Sequence, residues 1–119
     1  MTKKEIDQFL SDLKKNGSNT IKVKGDRNNP TKKLNYRNTG VSFAPAIEVQ
    51  HGKQTDLYEF EKSYSTSKLN ELITKWILFS IRAKMLSGKC YLVVREKDAV
   101  KFNKIIREKL LDIEVIPIS

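Results

Sequence analysis

Hydrophobic and polar positions along the chain change period several times, and each change marks an element. Ile6, Phe9, Leu10 and Leu13 recur at i, i+3, i+4 and i+7, which predicts an amphipathic helix over 3–15. Thr2 and Glu5 have capping-box spacing at its start, and Asn16-Gly17 ends it. Alternation takes over at 20–24, TIKVK, a short strand with Lys22 and Lys24 pointing outward. Residues 25–40, GDRNNPTKKLNYRNTG, are rich in Gly, Asn and Pro and read as a loop. A second strand is expected over 41–50, with Phe43, Ile47 and Val49 on one parity and Ala44, Ala46, Glu48 and Gln50 on the other. His51-Gly52-Lys53 makes a turn. A third strand then runs from Leu57 to Lys62, with Tyr58 and Phe60 on one face and Leu57, Glu59 and Glu61 on the other.

The second half carries the longest apolar pattern. Leu69, Leu72, Ile73, Trp76, Ile77, Phe79 and Ile81 give a helix over 66–86 with a broad apolar face, suited to burial against a sheet. Thr66 or Ser67 caps it, and Ser87-Gly88 ends it. Lys68, Lys75, Arg82 and Lys84 fall on its wetter side, and Trp76 reads as core. Lys89 to Val94 is a continuous apolar run, the mark of a strand buried on both faces. A helix over 98–110 turns Phe102, Ile105, Ile106 and Leu110 inward. Ile113 to Ile118 is a last buried strand, which Pro117 places at an edge or brings to an end. The order α-β-β-β-α-β-α-β over 1–119 describes one α/β domain, a mixed β-sheet flanked by helices.

Charge sharpens this layout. The net charge is +9, unevenly spread: residues 1–40 carry +6, residues 41–62 carry −2 and residues 63–119 carry +5. The hairpin is therefore the one acidic stretch in a basic chain, as for a polyanion partner met around a cation site. In the 20–40 region Lys22, Lys24, Arg27, Lys32, Lys33 and Arg37 surround Tyr36. Cations interleaved with an aromatic suit phosphate contact and base stacking, and a solvated loop has the same composition. The single cysteine, Cys90, lies in an apolar run and reads as an inert core thiol; it excludes an internal disulfide and a cysteine-based zinc site. No signal-type apolar segment opens the chain and no apolar run reaches the roughly 18 residues of a membrane span, so a cytoplasmic protein without a membrane partner is expected. P-loops, dinucleotide-binding glycine turns, histidine pairs and serine nucleophile elbows are absent from the sequence.

The remaining chemistry is carboxylate chemistry. Glu59 and Glu61, two apart on one strand, share a face, and Glu48 lies on the polar parity of the preceding strand. Carboxylates gathered on one face repel unless they are spread into water or share a cation. Glu48 and Glu59 are the candidate ligands for Mg²⁺ or Mn²⁺, with Glu61 beside them; solvated hairpin glutamates are the alternative. His51 is the only histidine, placed as a general base beside the carboxylates or simply exposed in a turn. Glu5 is a capping carboxylate, or an accessory metal ligand or base.

Pro45-Ala46 on the second strand, Glu59-Phe60-Glu61 on the third and the long helix that follows make the chain resemble the PD-(D/E)XK nuclease superfamily, the restriction-endonuclease-like fold. The resemblance covers nearly the whole chain as topology. It implies that Pro45-Ala46 stands where the family has Pro-Asp, and Glu59-Phe60-Glu61 where it has Glu-x-Lys. Glu59 then carries over as a metal ligand. Ala46 replaces the ligating aspartate, and Glu48, two residues on, is its substitute. Glu61 replaces the lysine, whose role passes to Lys62, Lys68 or Lys75. The resemblance implies a nucleic-acid-binding protein, DNA-binding in the family's manner, catalytically impaired or inactive for want of the aspartate. The alternatives are an active Mg²⁺- or Mn²⁺-dependent endonuclease using Glu48, Glu59 and Glu61, and a protein–protein scaffold or homodimer that pairs near Ile113–Ile118.

Overall fold

The computed structural model describes residues 2–15, 20–36 and 40–119. Helix α1 (Lys3–Lys15) opens the chain, followed by strand β1 (Thr20–Val23). The expected loop over 25–40 contains a two-residue strand, β2 (Leu34–Asn35), paired antiparallel with β3 (Ser42–Phe43). The single strand expected over 41–50 is therefore two. Ala44-Pro45-Ala46 interrupts it, because Pro45 has no N–H to give a ladder. Phe43 joins the small sheet, and only Ile47–His51 forms strand β4 of the large one. Strand β5 (Gln54–Phe60) begins three residues earlier than its alternation suggested. A single 3-10 turn (Thr66–Lys68) leads into helix α2 (Leu69–Met85). Strand β6 (Cys90–Arg95), a 3-10 turn (Glu96–Asp98), helix α3 (Ala99–Glu108) and strand β7 (Glu114–Ile118) complete the fold.

The architecture is α/β, with a mixed five-stranded sheet in the order β1-β4-β5-β6-β7 flanked by three helices. β4 pairs antiparallel with β1 on one side and with β5 on the other; β5, β6 and β7 run parallel, each pair joined through a helix. One face carries α2 and α3, where Trp76, Phe102, Ile105 and Ile106 close over Leu92 and Val94. A second cluster on that face joins Phe79 and Ala83 to Leu57 and Cys90, with Leu34 and Phe43 of the small sheet laid against it. Helix α1 covers the opposite face, the Phe9 ring meeting Tyr58 and Phe60 edge-on at 5.6 and 5.5 Å. Its capping box forms as expected: the Thr2 N–H donates to Glu5 Oε1 and the Glu5 N–H to Thr2 Oγ1. Its predicted Asn16-Gly17 stop lies outside the described residues.

Three expectations about ends and faces change. Neither Thr66 nor Ser67 caps α2 with its side chain; the capping position is Lys68, reached through the 3-10 turn. α2 does end at Ser87-Gly88, in a turn where the Gly88 N–H donates to the Ala83 carbonyl and the Ser87 N–H to that of Lys84. α3 ends the same way two residues sooner than expected, at Glu108, with Leu110 at φ 55°. That backbone turn throws Leu110 outward, to 91% exposure, and Leu111 packs in its place. β7 is a half-exposed edge strand rather than a buried one, with Pro117 on it as the edge position requires. Among the described residues no helix is long and apolar enough to cross a membrane.

Candidate functional site

Register decides which carboxylates meet. Glu48 lies opposite Leu57 and Lys22, so Lys22, Glu48, Leu57, Glu59 and Glu61 all project to the α2 face. α2 runs across that face, and its 3.6-residue period brings Lys75, Phe79, Arg82 and Ala83 down onto the sheet. Lys75 does not stay on the wet side. Its Nζ sits 3.1 Å from Glu59 Oε2 and 2.7 Å from Glu61 Oε2. Glu61 also accepts the indole N–H of Trp76 at 2.8 Å, and Glu59 that of the Phe60 backbone at 3.3 Å. Glu61 lies past the end of β5, yet its N–H still reaches the Val93 carbonyl at 3.1 Å, which fixes the carboxylate under the helix.

This is a nearly dry triad, two carboxylates sharing one ammonium: Glu59 is 8% and Glu61 7% exposed. One negative charge is left over. Burial pushes the Glu59 carboxyl above its ordinary range, and the Glu61 charge adds to this against the pull of Lys75. Lys75 loses proton affinity to burial and regains more from Glu59 and Glu61, so its ammonium is held above the ordinary lysine range. Of the three relocated-lysine candidates, Lys75 alone bonds the carboxylates. Lys62 and Lys68 are exposed on the rim of a cleft of about 530 Å³ that has Glu61, Ser63 and Ser65 in its wall.

Glu48 stands apart from the triad. It is buried, and its Oε2 accepts the backbone N–H of Lys32 at 2.9 Å. Carried one residue past the Ile47–Tyr58 pair, the register sets Ala46, not Glu48, against Glu59. Among the described residues no three His, Cys, Asp or Glu side chains converge closely enough to hold a metal ion together. A divalent ion at Glu59 and Glu61 would compete with Lys75 for the same oxygens, so the residues do not fit Mg²⁺ or Mn²⁺ as they stand.

Two basic residues of the 20–36 segment meet Glu48: Lys22 lies opposite it in the ladder, and Lys32 gives it a backbone N–H. Lys22 and Lys24 are exposed on and just past β1, Arg27 in the turn beyond, and Lys32 and Lys33 beside Glu48. Tyr36 is half-buried, its N–H bonded to the Val41 carbonyl. Arg37 lies outside the described residues. Arg82 reaches this region from α2, lining a pocket with Lys22 and Glu48. The sequence held a signal for it: Lys75 and Arg82 are seven apart, on the same helix face as the buried Phe79.

His51 is not beside the triad. It closes β4 on the α1 face and pairs at 2.7 Å with Asp56, a buried residue the sequence reading passed over. Asp56 also accepts the Lys89 backbone N–H at 2.8 Å and the Gln54 amide at 3.1 Å, tying the hairpin to the start of β6. Glu5 is a capping carboxylate and more: Arg95 of β6 grips both its oxygens at 2.5 and 2.6 Å. Cys90 is buried, its thiol pushed up to about 12 by burial and by the charges of Glu59 and Asp112. Compared with models of known protein families, with curated proteins and with solved structures, the chain matches none.

Proposed function

We propose that this chain is a nucleic-acid-binding protein on a restriction-endonuclease-like core whose cleavage site is silent. The observation that carries the reading is Lys75, whose ammonium lies between Glu59 and Glu61. The ammonium there holds one oxygen of each carboxylate that an active nuclease would give to a metal. Ala46 offers no ligand at the strand position facing them. The strand order supports the nuclease-like core: two antiparallel pairings, then a parallel one reached through α2. The charge of +9 and the exposed Lys22, Lys24, Lys32 and Lys33 support the polyanion partner.

The test is fluorescence anisotropy with labelled single-stranded DNA, RNA and duplex at 50 and 200 mM salt. Four phosphate contacts on a single strand predict affinity falling roughly fiftyfold between those salts. Absent or salt-insensitive binding sinks the binding half. Mg²⁺- or Mn²⁺-dependent cutting that disappears in Glu59→Ala sinks the silent half. A homodimer through the β7 edge is the second reading, favoured by the half-buried Val115, Ile116 and Ile118 on an edge strand; sedimentation measures it.

A further inference from the structure

The pocket beside Glu48 is built from three strands and one helix. Thr20 and Lys22 of β1, Glu48 and Gln50 of β4 and Thr55 of β5 share one sheet face, and Arg82 of α2 leans over them. It encloses about 210 Å³. That is below the ~300 Å³ at which drug-sized ligands begin, and suits a single ring.

Its polar groups are incompletely met. Glu48 is buried and takes one backbone N–H on Oε2, which leaves Oε1 for a further donor. Arg82 makes no ion pair among the described residues, and its Nε is shut off from both acceptor and solvent, which leaves the end of its guanidinium to face the pocket. The two line the same pocket without pairing to each other. A carboxylate oxygen and a guanidinium that face one pocket unpaired can each take a further group there. The signs also select the partner. Lys22 and Arg82 disfavour a metal ion or an amine, and Glu48 disfavours a phosphate inside the pocket. A neutral ring edge with a donor beside acceptors satisfies both.

We propose that this pocket takes one unstacked cytosine of a bound nucleic-acid strand; the proposal rests on the nucleic-acid reading above. The cytosine amino group donates to Glu48, the pairing a carboxylate makes with that base. Its ring nitrogen and carbonyl accept from the Arg82 guanidinium, a planar fork matched to two adjacent acceptors. Uracil puts a carbonyl where the amino group belongs, against the carboxylate. Guanine and adenine are two-ring bases, larger than the single ring that the pocket suits. Lys22, exposed at the mouth, meets the adjoining phosphate, a contact that positions without reading sequence.

The experiment is an amide-resolved NMR titration of the full chain with cytidine 5′-monophosphate and uridine 5′-monophosphate. The cytidine nucleotide is expected to shift Thr20, Lys22, Gln50 and Thr55 saturably, and to bind roughly tenfold more tightly than the uridine nucleotide. Glu48→Gln keeps an acceptor for the Lys32 N–H and so keeps the fold. Its free end becomes a donor, and the preference should vanish or invert. Equal affinities, shifts elsewhere on the molecule, or a preference unchanged in Glu48→Gln overturn the proposal. Salt-dependent oligonucleotide binding without a cytosine preference overturns the pocket alone. Selective mononucleotide binding without any oligonucleotide binding overturns the strand-binding reading.

Discussion

Removing the Lys75 ammonium is the sharpest perturbation of this molecule. Lys75→Met keeps the length and the apolar stem and leaves Glu59 and Glu61 without their shared cation. Both residues are buried, so water cannot fully replace the ammonium without opening the core. Breaking a buried pair by removing one partner costs about 3–5 kcal/mol. A chain of this length has on the order of 6–18 kcal/mol in all, so the loss is a large fraction of it. With a urea slope of roughly 1–3 kcal/mol/M, the midpoint should fall by about 1–5 M. The buried Trp76, bonded to Glu61, is the only tryptophan and supplies the fluorescence signal. The pH dependence separates charge from shape. Glu59 already titrates above its ordinary range in the folded protein, so the folded state takes up its proton before the unfolded state does. Stability from that group grows as pH falls through its raised value and is complete below the ordinary value near 4.5. Without Lys75 the shift widens, so the variant's deficit at pH 7.5 should shrink at pH 5. In the wild type the Lys75 share is held through neutral pH and lost as pH rises past the ordinary value of 10.5 and through the raised one. A deficit under about 0.5 kcal/mol, or one equal at both pH values, refutes the buried shared-cation account.

Leu110 holds a left-handed backbone at φ 55° with its side chain 91% exposed. Leu110→Gly therefore sacrifices no packing and relieves a conformation costing ~1 kcal/mol or more, and should raise the urea midpoint; a lowered midpoint contradicts this. Gly88 is the opposite case, because a Cβ there would lie 1.8 Å from the Thr55 carbonyl oxygen. Gly88→Ala must push α2 or β6 away from β5 and should cost about 3 kcal/mol, read from the thermal midpoint. Arg95→Ala frees Glu5 and loosens α1, which has no fully buried residue to hold it. Hydrogen exchange should rise across 3–15 while α2 and β6 stay protected; uniform loss of protection contradicts a local clasp. The Glu5 carboxyl is held below its ordinary range, first by the Thr2 backbone N–H and also by Arg95. The clasp is accordingly kept through neutral pH and lost only as pH falls below 4.5, where α1 exchange in the wild type should approach that of Arg95→Ala.

Periodicity settled the elements that repeat long enough to be read. Helix α1 and its capping box, the α2 stripe through Trp76 and Phe79, the continuous run of β6 and the α3 face of Phe102, Ile105 and Ile106 all follow from spacing, because a side chain's face is fixed by its position in the repeat. So did the shared face of Glu59 and Glu61. Short pieces escaped it: β2 and β3 are two residues each, too few to show a period, and only pairing with one another makes them strands. Ends were lost for the same reason. Leu110 fits the apolar stripe of α3, but the left-handed turn that satisfies the last carbonyls turns it to solvent. The chemistry needed the third dimension most. Lys75 looked solvent-facing as a charge on a helix, and only the crossing of α2 over β5 set it against Glu59 and Glu61, residues 14 and more positions away. Glu48 shared their sheet face by parity, yet the register and the Lys32 N–H drew it into a different pocket with Arg82. Sequence fixes which way a side chain points within its own element; which elements face each other, and so which charges meet, is set by packing.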